Sequence, residues 1–225
     1  MRSALVRRRA TYTIVVKVER AQTVELIEGA NRLAVVRYEV IANGHPALAA
    51  ELRVDGRPIV SEHADNEGSI GIIYEYAHLA NLDDEVAFVR RAVAERVAFA
   101  GDLHEPIATL LGLFAPGTYR LALGTMHPQC GLVDVEVTGP WNGRGGNLYP
   151  DPENLFPTRS VESLDEATID AWRARLRAGE RPIAILVRLD EFSFAVLDGH
   201  HKLCAYGREK LEAHALAIEP VATAR

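Results

Sequence analysis

The sequence predicts an α+β fold in which a β-rich N-terminal domain with a helical block, residues 1–140, precedes a small α+β domain, residues 141–225. Three observations carry that expectation. Alternating or β-branched runs recur through the first 140 residues, most clearly at 11–20 (TYTIVVKVER) and 33–42 (LAVVRYEVIA). A glycine-rich stretch, GPWNGRGG at 139–146, interrupts the pattern and marks a linker or turn. Beyond it the chain reads as helix, hairpin, helix, strand.

The elements follow in order. Residues 51–54 and 57–60 flank Asp55-Gly56, the two-residue signal of a tight hairpin. Across 82–99, Val86, Val89, Val93 and Val97 fall at steps of three and four, one face of a helix, with Arg90, Arg91 and Glu95 off it. A short helix is expected over 107–114, Pro116-Gly117 ends it, and 118–124 and 132–138 return to strand character. An irregular arm spans 147–160. Ser163-Leu164-Asp165-Glu166 has the form of a capping box, so a helix is expected from Leu164, with Ile169, Trp172 and Leu176 on one face and Gly179 past its end. Residues 182–189 (PIAILVRL) and 192–197 (FSFAVL) are strands turned by Asp190-Glu191. Asp198-Gly199 opens a second helix that buries Leu203, Tyr206 and Leu211, and 215–218 closes the chain as a strand.

Apolar residues make up 48% and charged residues 25% of the 225, which suits a folded globule and excludes disordered or fibrous composition. The formal charge is −6, against the needs of a protein whose main task is to grip DNA. Two cysteines do not make a disulfide scaffold. No run approaches the roughly 18 apolar residues of a membrane span, and the basic start, Met1 to Arg9, is followed by an alternating run rather than the core of a signal peptide. A soluble, cytoplasmic protein without membrane association is expected, its Arg-rich start a solvated terminus.

The residues that carry chemistry lie at 198–202. Asp198-Gly199-His200-His201-Lys202 packs three potential cations onto a strand-to-helix junction. The first amides of a helix lack intrahelical partners and sit at the positive end of its dipole, and Gly199 lets an anion approach them. Phosphate or carboxylate is the expected ligand. Successive helix residues point about 100° apart, so one histidine contacts the ligand and the other packs or orients. A typical zinc site needs separated ligand pairs, which this segment lacks. Elsewhere, Cys130 beside His127 reads as a small apolar filler, Trp141 as a cap on the linker, and His45, His63, His78 and His104 are scattered.

Pro182-Ile183, the hairpin, and then Leu197-Asp198-Gly199-His200-His201-Lys202 with Ala205-Tyr206 resemble the ParB N-terminal/sulfiredoxin superfamily, over roughly residues 147–220. The resemblance implies a small nucleotide-binding α+β fold whose helix start, Gly199 to Lys202, holds phosphates. The sulfiredoxin cysteine position is His200 here, and Cys204 lies one helical turn away, which speaks against sulfinic acid reduction. The segment from 147 onward carries ten Lys/Arg against thirteen Asp/Glu and no following helix-turn-helix, which speaks against chromosome partitioning.

The nearest likeness in motif is to the free serine kinases of that superfamily, with D-G-H-H-R and a glutamate in a P-x-E-x-L-like arm, matched here by Pro152-Glu153-Asn154-Leu155. It implies Glu153 and Asp198 as catalytic residues, Glu153 taking a proton from a substrate hydroxyl, and Arg159 on phosphate beside Gly199, His200, His201 and Lys202. Lys202 stands where the family has arginine, a point charge in place of a fork, and the arm after Glu153 is longer. ATP or ADP with magnesium is the implied cofactor. Two functions remain open: a phosphotransferase or NTPase, and a non-catalytic binding or interaction module on the same fold, with the N-terminal region as a surface for a protein partner or substrate.

Overall fold

The computed structural model describes residues 17–42, 45–64, 72–75, 101–126, 145–148, 154–158, 163–190 and 193–221. The helix expected over 82–99, the strand over 132–138, and Cys130, Trp141, Glu153 and Arg159 lie outside these residues. The fold is α+β. Its strands are β1 (Lys17–Leu26), β2 (Leu33–Ala42), β3 (His45–Val54), β4 (Arg57–Ala64), β5 (Ile72–Glu75), β6 (Gly117–Met126), β7 (Gly145–Leu148), β8 (Asn154–Pro157), β9 (Ile183–Arg188), β10 (Ser193–Asp198) and β11 (Ala213–Pro220). A 3-10 turn at Glu105–Ile107 runs into α1 (Ala108–Leu111), and the longer helices are α2 (Glu166–Arg177) and α3 (His200–Glu209). No helix of the described residues is long and apolar enough to cross a membrane.

Two sheets form. One has the order β1-β6-β11-β9-β10-β8, the other β2-β3-β4-β5-β7. The second is antiparallel throughout, and the first is mixed, with β11 parallel to β9 and β10 parallel to β8. Residue alternation divides the first sheet's faces. Leu121, Leu123, Ile185, Val187, Ala195, Leu197, Leu216 and Ile218 pack in one core with Leu33, Leu52, Val54, Ile59 and Val60 of the second sheet and with Leu103 to Phe114 of the α1 segment. Their neighbours along the strands, Ala122, Ala184, Leu186, Phe194, Val196, Ala215 and Ala217, form a second core with Ile169 and Leu176 of α2 and Leu203, Ala205 and Tyr206 of α3. The result is three layers: sheet, sheet and a helix pair.

The expected boundary at 140/141 does not separate these sheets. β1 and β6 precede it yet continue the sheet of β8–β11, while β7 follows it yet pairs with β5. The apolar faces explain this, because β11 pairs antiparallel with β6 along its whole length, Ala213 to Pro220, a pairing that no linker composition reveals. Arg37 of β2 donates from Nε to the Leu189 carbonyl, fastening one sheet to the other.

Several local expectations hold, and others shift. Asp55 and Gly56 turn at φ 48° and 80°, both left-handed as a tight hairpin requires, and Arg32 clamps Asp55 with two bonds of 2.9 and 2.7 Å. That ion pair holds the Asp55 carboxyl below its usual range. The capping box does not form. Asp165, extended at φ −78°, is the N-cap, accepting from the Thr168 N–H at 2.8 Å, and α2 starts at Glu166. Glu166 then pairs with Arg208 of α3 at 2.5 Å instead of reaching back to Ser163. The arm expected to be irregular contains β8, and the last strand runs from 213 to 220 rather than over four residues.

An ion cluster ties α2 to α3. Glu209 accepts from Arg173 at 2.7 Å and from Arg177 at 2.6 Å, and the two guanidinium groups pull its carboxyl down to about 2. A carboxylate lowered from 4.5 in the native state contributes stability at higher pH and loses it as acid approaches its folded value. Glu209→Gln is therefore expected to destabilise the protein at pH 7, with the difference from wild type shrinking between pH 4.5 and about 2. Urea titrations across that range check it; a difference that stays constant into acid contradicts the clamp.

Candidate functional site

The junction between β10 and α3 is built by a bulge, a glycine and a helix start. The register between β10 and β9 shifts between Val196 and Asp198, so Leu197 is the extra residue. Gly199 follows at φ 102°, a conformation that costs an L side chain energy. A Cβ there would stand 2.8 Å from the Ala184 Cβ and 2.9 Å from its Cα. Glycine is thus needed for the backbone angle and for the close approach of α3 to β9.

The Leu203 N–H closes the first helical bond to the Gly199 carbonyl at 2.8 Å. The N-cap residue, Gly199, has no side chain with which to cap α3, and the first turn holds no acidic residue. The amides of His200, His201 and Lys202 therefore open the helix at the positive end of its dipole.

The side chains at the junction have partners within the chain. Lys202 donates from Nζ to Asp198 Oδ2 at 2.6 Å and to the Ile183 carbonyl at 3.0 Å, with Nζ 5.5 Å from the Trp172 ring centroid. Arg175 lies over the same indole at 4.2 Å. His200 is buried, 4% exposed, and its Nε2 accepts from the Thr158 N–H at 3.1 Å, while the Thr158 hydroxyl donates to the Val196 carbonyl at 2.6 Å. His201 is half-buried, and its Nε2 accepts from the Asp165 N–H at 3.1 Å. Both imidazoles accept at Nε2, which requires the neutral ring with its proton on Nδ1.

Asp198, Gly199, His200, His201 and Lys202 therefore come together as one junction. Each of the two rings holds a backbone amide of another segment through Nε2. Sequence reasoning missed Thr158, Asp165 and Trp172 as neighbours of this junction; their only signal was proximity to Arg159, the helix start and an apolar face. Glu153 and Arg159 are outside the described residues, though Arg159 follows Thr158 directly in the chain. Cys204, one turn into α3, is half-buried, and burial pushes its thiol up, away from nucleophilic use.

Among the described residues no group of three or more His, Cys, Asp or Glu side chains converges as a metal site. Comparison of the chain with protein-family models, with curated proteins and with solved structures found no match.

Proposed function

We propose that the protein binds a phosphorylated small molecule, a nucleotide in the first instance, with its phosphates against the start of α3. The observation that supports this is the helix start itself: three successive amides at His200, His201 and Lys202 at the positive end of the dipole, introduced by a glycine whose missing Cβ brings the helix down onto β9. Lys202 adds a positive charge beside them, and the likeness of Pro182-Ile183 and Asp198 to Lys202 to the ParB/sulfiredoxin superfamily agrees with phosphate at this position.

Asp198, the carboxylate of the 198–202 segment, is ion-paired with Lys202, so magnesium would come with the nucleotide, carried on its phosphates and neutralising them. On this reading Arg159 adds a phosphate contact, and Glu153 or Asp198 takes the proton from a substrate hydroxyl in phosphoryl transfer. The non-catalytic module is the second reading, favoured by one observation: the side chains of Asp198, His200, His201 and Lys202 all hold the fold itself together.

Calorimetry with ATP, ADP and CTP, with and without magnesium, tests binding. Wild type is expected to bind at least one, and Lys202→Gln to bind it about fivefold more weakly, the worth of one charge-assisted contact of about 1 kcal/mol. No heat from any nucleotide contradicts the proposal. Nucleotide turnover that Glu153→Gln abolishes selects the enzyme; binding without turnover selects the module.

A further inference from the structure

We propose that His200 and His201 form an acid-sensitive double clasp: as neutral rings they fasten the end of β8 and the head of α2 to α3, and protonation releases both. The two bonds reach 42 and 36 residues along the chain and arise on adjacent helix positions. A turn of about 100° between neighbours sends the rings to different elements, so one dipeptide holds two segments.

The chemistry makes these contacts conditional. A neutral imidazole accepts at one nitrogen, whereas the imidazolium donates from both. An N–H of Thr158 or Asp165 then meets another N–H, and the bond becomes a repulsion. Thr158 is 1% exposed, so its amide has little water to turn to. β8 is four residues long and, among the described residues, lies at the sheet edge and pairs with β10 alone. The head of α2 is held otherwise by the Glu166–Arg208 pair, and its C-terminal half by Glu209. Release is therefore local, at Thr158 and Asp165, and not a detachment of the whole helix.

Among the described residues, the charged groups nearest the two rings along these elements are Asp165 and Glu166 at the start of α2, Asp198 at the end of β10 and Lys202 on α3, with Arg208 paired to Glu166. Leu155 to Thr158 contribute none. Asp165 interacts with His201 and is already engaged by Thr168, while Asp198 is engaged by Lys202. Neither carboxylate replaces the lost amide bonds, because each already accepts from another donor, Asp165 from Thr168 and Asp198 from Lys202.

Nitrogen-resolved NMR of the histidine rings and amide hydrogen exchange of the whole chain, without ligand, test the clasp. At pH 8 both rings are expected as Nδ1–H tautomers, with the Thr158 and Asp165 amides protected. Between pH 8 and pH 5, crossing the ordinary imidazole range, protection at these two amides should fall at least about tenfold beyond the intrinsic pH effect, while Leu216 in the core keeps its own. In His200→Gln and His201→Gln the amide oxygen accepts at any pH, so protection at the matching amide should persist at pH 5. Rings protonated on Nε2 at pH 8, or unchanged wild-type protection at pH 5, overturn the proposal. Should a glutamine variant fail to fold, the wild-type measurements decide alone. Since no ligand enters, absence of nucleotide binding leaves this test intact.

Discussion

Gly199→Ala is expected to lower the unfolding free energy by about 2–4 kcal/mol, combining a left-handed backbone angle that alanine resists with a methyl group driven into β9. The angle is 102°, and the offending contacts, 2.8 and 2.9 Å, are to the Ala184 Cβ and Cα, neither of which moves without moving the strand. Ala184 is itself fully buried in the middle of the second core, so the helix must lift instead. Lifting α3 would strain the Lys202 bond to the Ile183 carbonyl and change the height of the three amides above the sheet. Stability and nucleotide affinity should therefore fall together. Chemical denaturation measures the first and calorimetry the second; a variant as stable as wild type would show that the close approach is not needed.

Tyr206→Ala is expected to cost about 3–5 kcal/mol, the usual price of emptying a large buried aromatic site. Tyr206 is fully buried between the helix layer and the sheet, stacks on His214 with centroids 6.4 Å apart, and donates to the Pro182 carbonyl at 2.9 Å. That bond reaches the residue before β9 and so positions the strand against which the α3 start is set. Tyr206→Phe keeps the ring and loses only the hydroxyl, so about 1 kcal/mol is expected. Burial pushes the phenol up to about 12 from its ordinary 10. A raised acid contributes stability that is full below pH 10 and lost as pH rises through about 12. The phenylalanine variant should lack that alkaline loss. Urea midpoints at pH 8 and above pH 10 compare the three proteins; an alanine variant within 1 kcal/mol of wild type would contradict the packing described.

What the sequence revealed was local. Asp55-Gly56 demanded a tight turn because both residues tolerate positive φ, and 33–42 carried enough β-branched and aromatic residues to be a strand under any packing. The Asp198-Gly199 break between apolar runs likewise located the start of α3 within one residue. What stayed hidden was long-range. Nothing in 117–126 signals a pairing with 17–26 on one side and 213–220 on the other, because register between distant strands is set by which faces meet, not by either strand alone. The same limit applied to the junction. The cluster of imidazole and ammonium was legible, but the partners of each ring, Thr158 and Asp165, lie 42 and 36 residues upstream and carry no motif. Ser163 was the expected cap by pattern, yet Asp165, two residues on, accepts from both the amide and the hydroxyl of Thr168 and so wins the position.

The most direct measurement is an amide NMR titration of the full chain with magnesium ATP at pH 8, where both histidines are expected neutral. Phosphates seated on the opening of α3 should shift the Gly199, His200, His201 and Lys202 amides more than any others, and inorganic triphosphate should reproduce the pattern. Shifts centred elsewhere, or none at saturating nucleotide, would contradict a phosphate site at that helix.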